Sequence, residues 1–249
     1  MSGGGPASGG PASDRARHDG AGHDGAGHDR EWLLAIDTAT SRVVVAAATL
    51  DGAVLGISTW SAGRTHGAQL LPAIGRLTGA HDLDRSRIAG VIVGTGPGAF
   101  TGLRVGIATA KALAHELGVP IAGVSTGAAL LAASGAGDRA VLLVPAGPND
   151  RHVVRRDHAP VLLPGGSDPD LASDEVLVAL DLAERAPADA SERGERARAA
   201  FPAALARLGA ARLAAGDEDD LARLVPEYVS LPRGVAVESG EVAWSRDRP

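Results

Sequence analysis

The chain has 249 residues, enough to bury roughly 70% of the surface its unfolded form would expose, so a substantial core is expected. It contains no cysteine, which excludes disulfides, thiolate metal sites and cysteine catalysis. A formal net charge of −6 with 2% aromatic residues argues against a dedicated nucleic-acid surface, which needs clustered cations and stacking rings. No apolar run reaches the roughly 20 residues of a bilayer span and no secretory signal pattern opens the chain, so a soluble cytoplasmic protein is expected.

Residues 1–30 carry Gly, Ala, Ser, His and Asp with almost no large apolar side chains, and such a segment cannot offset its own ordering entropy. It is predicted to be a disordered tail. Within it "HDGAGHDGAGHD" sets His18, His23 and His28 each beside an aspartate; such spacing could bind a transition metal weakly, and the preferred reading is a low-complexity extension with no metal assigned.

From Trp32 the pattern changes. "WLLAI", "RVVVAAAT" and "AVLGIST" read as three consecutive strands, the last two joined across the Asp51-Gly52 turn signal. "HGAQLLPAIGRLTGA" has a helical apolar face at Leu70, Leu71, Ile74 and Leu77. The strand "IAGVIVG" follows, then a helix from Thr101 that Gly118 closes, then the strand "PIAGVS" and the helix "TGAALLAAS". This β-β-β-α-β-α-β-α order is that of a ribonuclease-H-like half-domain. Beyond Arg139, "AVLLVP" reads as a strand, "RHVVRRDHAPVLLP" as a hairpin, and "SDEVLVALDLAERA" and "ERARAAFPAALARLGAARLAAG" as helices, with Pro202 at a kink or start. The predicted organisation is a tail at 1–30, half-domains at 31–136 and 137–235 around a cleft, and a C-terminal tail at 236–249.

Two segments carry candidate chemistry. Asp37 and Thr38 follow the first strand, where an open sheet presents side chains to a cleft. Either Asp37 and Thr40 only satisfy turn amides, or Asp37 and Thr38 form a residual nucleotide site together with Gly96 and Gly98. "GTGPGAFTG" matches neither the P-loop nor the dinucleotide fingerprint, because Gly96-Pro97-Gly98 breaks both spacings; Thr101 is placed to cap the next helix. In that helix Gly102, Gly106, Ala110 and Ala114 recur every four residues. This small-residue face packs either on the protein's own sheet or on a partner helix. His66, His81, His115 and His152 are read as surface or packing residues, and Asp174, Glu175 and Glu184 as solvated helix carboxylates. No helical His-x-x-x-His pair and no Gly-x-Ser-x-Gly elbow occurs in the folded region, so no catalytic residue and no metal ligand is assigned.

"LLAIDTATSRVVVAA", "RTHGAQLLPAI" and "VIVGTGPGAFTGLRVGIATAKALAHELGVPIAGVST", in that order, closely resemble the TsaB (YeaZ) family of the glycoprotease-like M22 group, from about Trp32 to Leu131. "PEYVSLPRG" resembles that family's closing segment. The resemblance implies an α/β, actin-like ATPase fold and a non-catalytic subunit in tRNA threonylcarbamoyladenosine biosynthesis. That subunit pairs as a heterodimer with the transferase TsaD, stabilises and activates it, and recruits the ATPase TsaE. The chain itself is then expected to need no cofactor, with ATP and a metal used through its partners, and to meet tRNA only indirectly; whether it forms a homodimer when alone is left open. TsaD carries a metal-binding His-x-x-x-His helix; the corresponding segment here, Ser125 to Leu130, has no histidine. The resemblance places the partner contact on two helices, making His66, Leu70, Leu71, Ile74, Thr101, Gly102, Arg104, Val105, Gly106, Ile107, Ala108, Ala110 and Lys111 the interface candidates. The family's Asp-Ala-Arg and Glu-Val-Tyr segment is replaced by "PAGPNDRHVVRR", with Gly147 near the aspartate and His152 near the glutamate. The rival readings are a nucleotide-dependent actin-like enzyme resting on Asp37, Thr38 and the glycine loop, and a metalloprotease suggested by the group name.

Overall fold

The computed structural model describes residues 1, 30–62 and 66–229. The His-Asp repeat with His18, His23 and His28, and the predicted tail 236–249, lie outside the described residues.

Three apolar, β-branched segments form the expected meander, β1 (Trp32–Asp37), β2 (Arg42–Ala48) and β3 (Val54–Ser61). Strands β4 (Ile88–Gly94) and β5 (Ile121–Val124) add in parallel on the other side of β1, giving the order β3-β2-β1-β4-β5. Between them run α1 (His66–Ala80), α2 (Phe100–Leu117) and, after β5, α3 (Thr126–Ala133). Gly118 ends α2 as predicted, adopting the left-handed φ of 65° that lets its N–H reach back to Ala114 and His115 carbonyls.

The second sheet is built from β6 (Ala140–Pro145), β7 (Arg151–Val154), β8 (Val161–Leu163) and β9 (Val176–Ala179), in the order β8-β7-β6-β9. Strand β6 pairs antiparallel with β7 and parallel with β9. It therefore repeats the order and sense of the first sheet and stops one strand short.

Two sequence expectations fail here. The segment 173–186 is not a helix: Val176–Ala179 is β9, and Ala183–Arg185 forms a single 3-10 turn. A short valine-rich run is ambiguous between strand and buried helix, and pairing with β6 decides it. Asp174 and Glu175 precede a strand, and Glu175 holds the Arg155 guanidinium at 2.7 Å. Pro202 starts no helix either; it lies buried inside α4 (Ala188–Ala214).

Strand alternation distributes the core. Trp32, Leu34 and Ile36 point to the face covered by α1 and α2, while Leu33 and Ala35 point to the opposite face. There they join Leu130 of α3, Phe201 and Leu205 of α4, and Leu142 of β6 in one cluster shared by both sheets. Beyond α4 the chain crosses the open edge of the first sheet: the Asp219 amide donates to the Ile121 carbonyl, and Leu224 is buried beside α2. Of this strap, residues 217–229, only the start of "PEYVSLPRG" was singled out in the sequence, and its path across the sheet edge was not.

Candidate functional site

Alternation puts Asp37, the last residue of β1, on the face shared by the two sheets, and α3 begins there with Thr126. The Thr126 hydroxyl donates to Asp37 Oδ2 at 2.6 Å, and the Ala39 amide donates to Oδ1 at 2.9 Å. Asp37 is fully buried, and that desolvation pushes its carboxyl up to about 6 despite both hydrogen bonds. The Gly96 amide donates to Thr126 Oγ1 at 3.1 Å, and the Ala99 amide to the Ala39 carbonyl at 2.7 Å. A Cβ on Gly98 would stand 2.2 Å from the Ala39 oxygen, and one on Gly94 would stand 1.7 Å from Asp37 Oδ2.

The structure therefore brings Asp37, Thr38, Gly96 and Gly98 together as a packed joint. The turn after β1 fills the space that the glycines leave, and the Gly96 and Ala99 amides are already spent. These residues do not fit a phosphate group.

The small-residue face of α2 belongs to the same joint. Thr38 Oγ1 donates to the Gly102 carbonyl at 2.7 Å, and a Cβ on Gly102 would lie 2.1 Å from the Thr38 carbonyl oxygen. A Cβ on Gly106 would lie 2.2 Å from Thr38 Oγ1. Gly102, Gly106, Ile107 and Ala110 are buried in the chain's own core, as are Leu70 and Ile74 of α1. None of these six is available to a partner. Thr101 caps nothing; the residue ahead of α2 is Ala99, whose side chain makes no capping bond.

The outward face is different. Leu71 (58% exposed), Thr101, Arg104 and Ala108 face solvent, and Val105 is half-buried against Gly67. His66 opens α1. Two of the candidates are tied to the strap. Lys111 Nζ donates to the Leu224 carbonyl at 2.9 Å, and Arg104 donates from Nε to the Tyr228 hydroxyl at 3.1 Å while its guanidinium lies 3.9 Å above the Phe100 ring. Phe100 and Tyr228, with ring centroids 5.4 Å apart, bring together the chain's single tyrosine and one of its two phenylalanines.

A cleft of about 1020 Å³ opens where the joint, the second sheet and the strap meet. Thr38–Ser41, Pro97–Phe100 and Leu103 form one wall, Val144–Pro148, Asp150, His152 and Leu162 the other, and Asp181, Glu227 and Tyr228 complete it. Asp181 ties the walls together. Its carboxylate accepts the Ser41 hydroxyl, the Ser41 amide at 2.8 Å and Arg198 Nη2 at 2.5 Å. Burial alone would raise this carboxyl, but the Ser41 bonds and the Arg198 guanidinium outweigh it and hold the group below the usual carboxylate range. Glu227 moves the other way, raised by burial with the Ser125 hydroxyl, 3.0 Å away, opposing the shift. His152, read from sequence as a surface or packing residue, is 6% exposed in the cleft wall, and burial lowers its pKa. No lysine or arginine is among the described residues lining the cleft. Among the described residues no three His, Asp or Glu side chains are grouped to hold a metal, and no helix is long and apolar enough to cross a membrane.

Two mixed sheets of matching strand order, sharing a helical core around a cleft, define an α/β protein of the actin-like, ribonuclease-H-like class. YeaZ from Pseudomonas aeruginosa superposes on 80% of this chain and 99% of its own length, with a TM-score of 0.62 and 23% identity. The family model for TsaD, tRNA N6-adenosine threonylcarbamoyltransferase, matches residues 41–203, and the chain belongs to that family. Among curated relatives, a Mycobacterium tuberculosis (strain H37Rv) protein is 41% identical over 93 residues, which is 37% of this chain and 44% of the relative. The tRNA threonylcarbamoyladenosine biosynthesis protein TsaB of Bacillus subtilis is 33% identical over 94 residues, 38% of this chain and 41% of TsaB. The match thus spans less than half the length of these relatives.

Proposed function

We propose that the chain is a non-catalytic subunit of tRNA threonylcarbamoyladenosine biosynthesis that docks on, stabilises and activates a TsaD-type transferase. The observation that carries this reading is the solvent-facing surface of α1 and α2, where Leu71, Thr101, Arg104 and Ala108 stand on the two helices that the TsaB resemblance assigns to the partner. Support comes from the similarity to TsaB of Bacillus subtilis and from α3, which reads Thr-Gly-Ala-Ala-Leu-Leu-Ala-Ala and offers no ligating histidine. In this reading ATP and a metal are used by the partner subunits. TsaE joins the resulting pair, tRNA is met through the partner, and the same helix surface is where two copies would meet in the absence of TsaD.

Co-expression with the TsaD of the same organism tests the proposal, with a one-to-one complex on size-exclusion chromatography as the expected result. Leu71→Glu should remove the complex while leaving the unfolding temperature of the free chain unchanged. Failure of the unaltered chain to co-purify at micromolar concentration would overturn the reading.

A further inference from the structure

The strap ends inside the cleft. Its last residues are tied down there: the Glu227 amide donates to the Thr95 carbonyl at 2.8 Å, the Glu227 carboxylate accepts the Ser125 hydroxyl at 3.0 Å, and the Tyr228 hydroxyl accepts from Arg104 at 3.1 Å. Val229, the last described residue, lines the cleft itself. Beyond it the sequence continues "SLPRGVAVES" from Ser230.

The lining mixes three chemistries. Phe100, Leu103, Val144 and Leu162 are apolar, Asp150 and Glu227 are acceptors, and the Tyr228 hydroxyl and the first-turn amides of α2, which opens at Phe100, are donors. A small ion would match only one of these. An extended peptide matches all three, because each residue brings a carbonyl and an N–H and successive side chains point to opposite walls.

We propose that residues 230–237 of the chain's own C-terminal segment lie extended in this cleft as a tethered occupant. With a period of two, Leu231, Arg233, Val235 and Val237 share one face, which meets Val144, Leu162 and Asp150 of the second-sheet wall. The small Pro232, Gly234 and Ala236 turn toward the wall of the joint. Charge agrees with this seating: before Glu238 the segment holds one cation and no acid, against a lining with two unpaired carboxylate edges and no lysine or arginine among its described residues. Arg233 follows Val229 by roughly 13 Å of extended chain, and a cleft of about 1020 Å³ is large for a small-molecule site. Attachment at Val229 holds the segment at an effective concentration in roughly the millimolar range, so little intrinsic affinity is needed. Any other ligand of the cleft must displace it. This occupancy is independent of the partner reading and is tested without TsaD, so one can fail while the other stands.

Hydrogen exchange of the intact parent chain is compared with that of the double variant Arg233→Glu, Val235→Asp, whose changes lie beyond Val229 and outside the core. The amides of Phe100, Gly147 and Asp150 in the lining should exchange at least roughly tenfold faster in the variant, with β1, β4 and the unfolding temperature unchanged and the parent's protection independent of chain concentration. Equal exchange in the two chains would overturn the proposal, since the segment then leaves the cleft to something else. A loss shared by β1 and β4 would overturn it as well, marking a structural role for the segment. So would protection that grows with chain concentration, which would assign the cleft to the segment of a second copy.

Discussion

The two faces of α2 carry opposite duties within one helix. On the inward face the turn after β1 presses on Gly102 and Gly106, with the Thr38 carbonyl and hydroxyl standing where their side chains would be, while Ala110 and Ala114 are buried in the core. The outward face, Thr101, Arg104, Ala108 and Lys111, keeps its side chains for solvent and the strap. A stripe of small residues thus reports a close approach without saying which neighbour makes it. Here the neighbour is the chain itself.

Substitutions that exchange these duties should show it. The largest expected effect is at Gly102→Ala, whose methyl would meet the Thr38 backbone oxygen at 2.1 Å; a loss of about 4 kcal/mol in urea unfolding is predicted, against the gain an exposed helical glycine would show. Next comes the clamp across the cleft. Asp181→Ala strands the Arg198 guanidinium, which is 13% exposed, and should cost about 3 kcal/mol.

Asp37 predicts a pH dependence of similar size. Burial pushes its carboxyl up to about 6 in the folded chain, from 3.8 when unfolded, so between these values the folded state holds a proton that the unfolded state has released. Its contribution is fully present below about pH 4 and is lost as pH rises to about 6, amounting to about 3 kcal/mol. Urea midpoints across that window, compared with those of Asp37→Asn, should show this falling component in the parent chain and its absence in the variant.

Smaller effects belong to the outward face. Lys111→Met removes the bond to the Leu224 carbonyl and should cost about 1 kcal/mol while raising hydrogen exchange in the strap. Ala108→Arg, on an exposed helical site, should change stability by less than about 0.5 kcal/mol.

Most of the first sheet and its helices were legible in the sequence because each element is long, periodic and closed by turn signals, as Gly118 closes α2. The second half was less so. Val176–Ala179 is too short for periodicity to separate strand from helix, and only its partner β6 settles it. The joint was half-visible: Asp37, Thr38, Gly96 and Gly98 were singled out, but Thr126 lies 89 residues from Asp37, and no local pattern reveals that pairing. The cleft was expected between the half-domains, and of the residues singled out in the sequence Thr38, Gly98, Gly147 and His152 line it. The strap had one signal, the likeness of "PEYVSLPRG" to the family's closing segment, and its side-chain contacts, Tyr228 with Arg104 and Glu227 with Ser125, join residues too far apart in sequence for a local pattern to show.

The central claim is that α2 builds the fold with one face and offers the other to a TsaD-type partner. Co-purification of that partner with Ala108→Arg tests it most directly. The account predicts a variant with the unfolding temperature of the parent chain and at least roughly tenfold weaker retention of the partner; a folded variant that retains the partner as well as the parent does would contradict it.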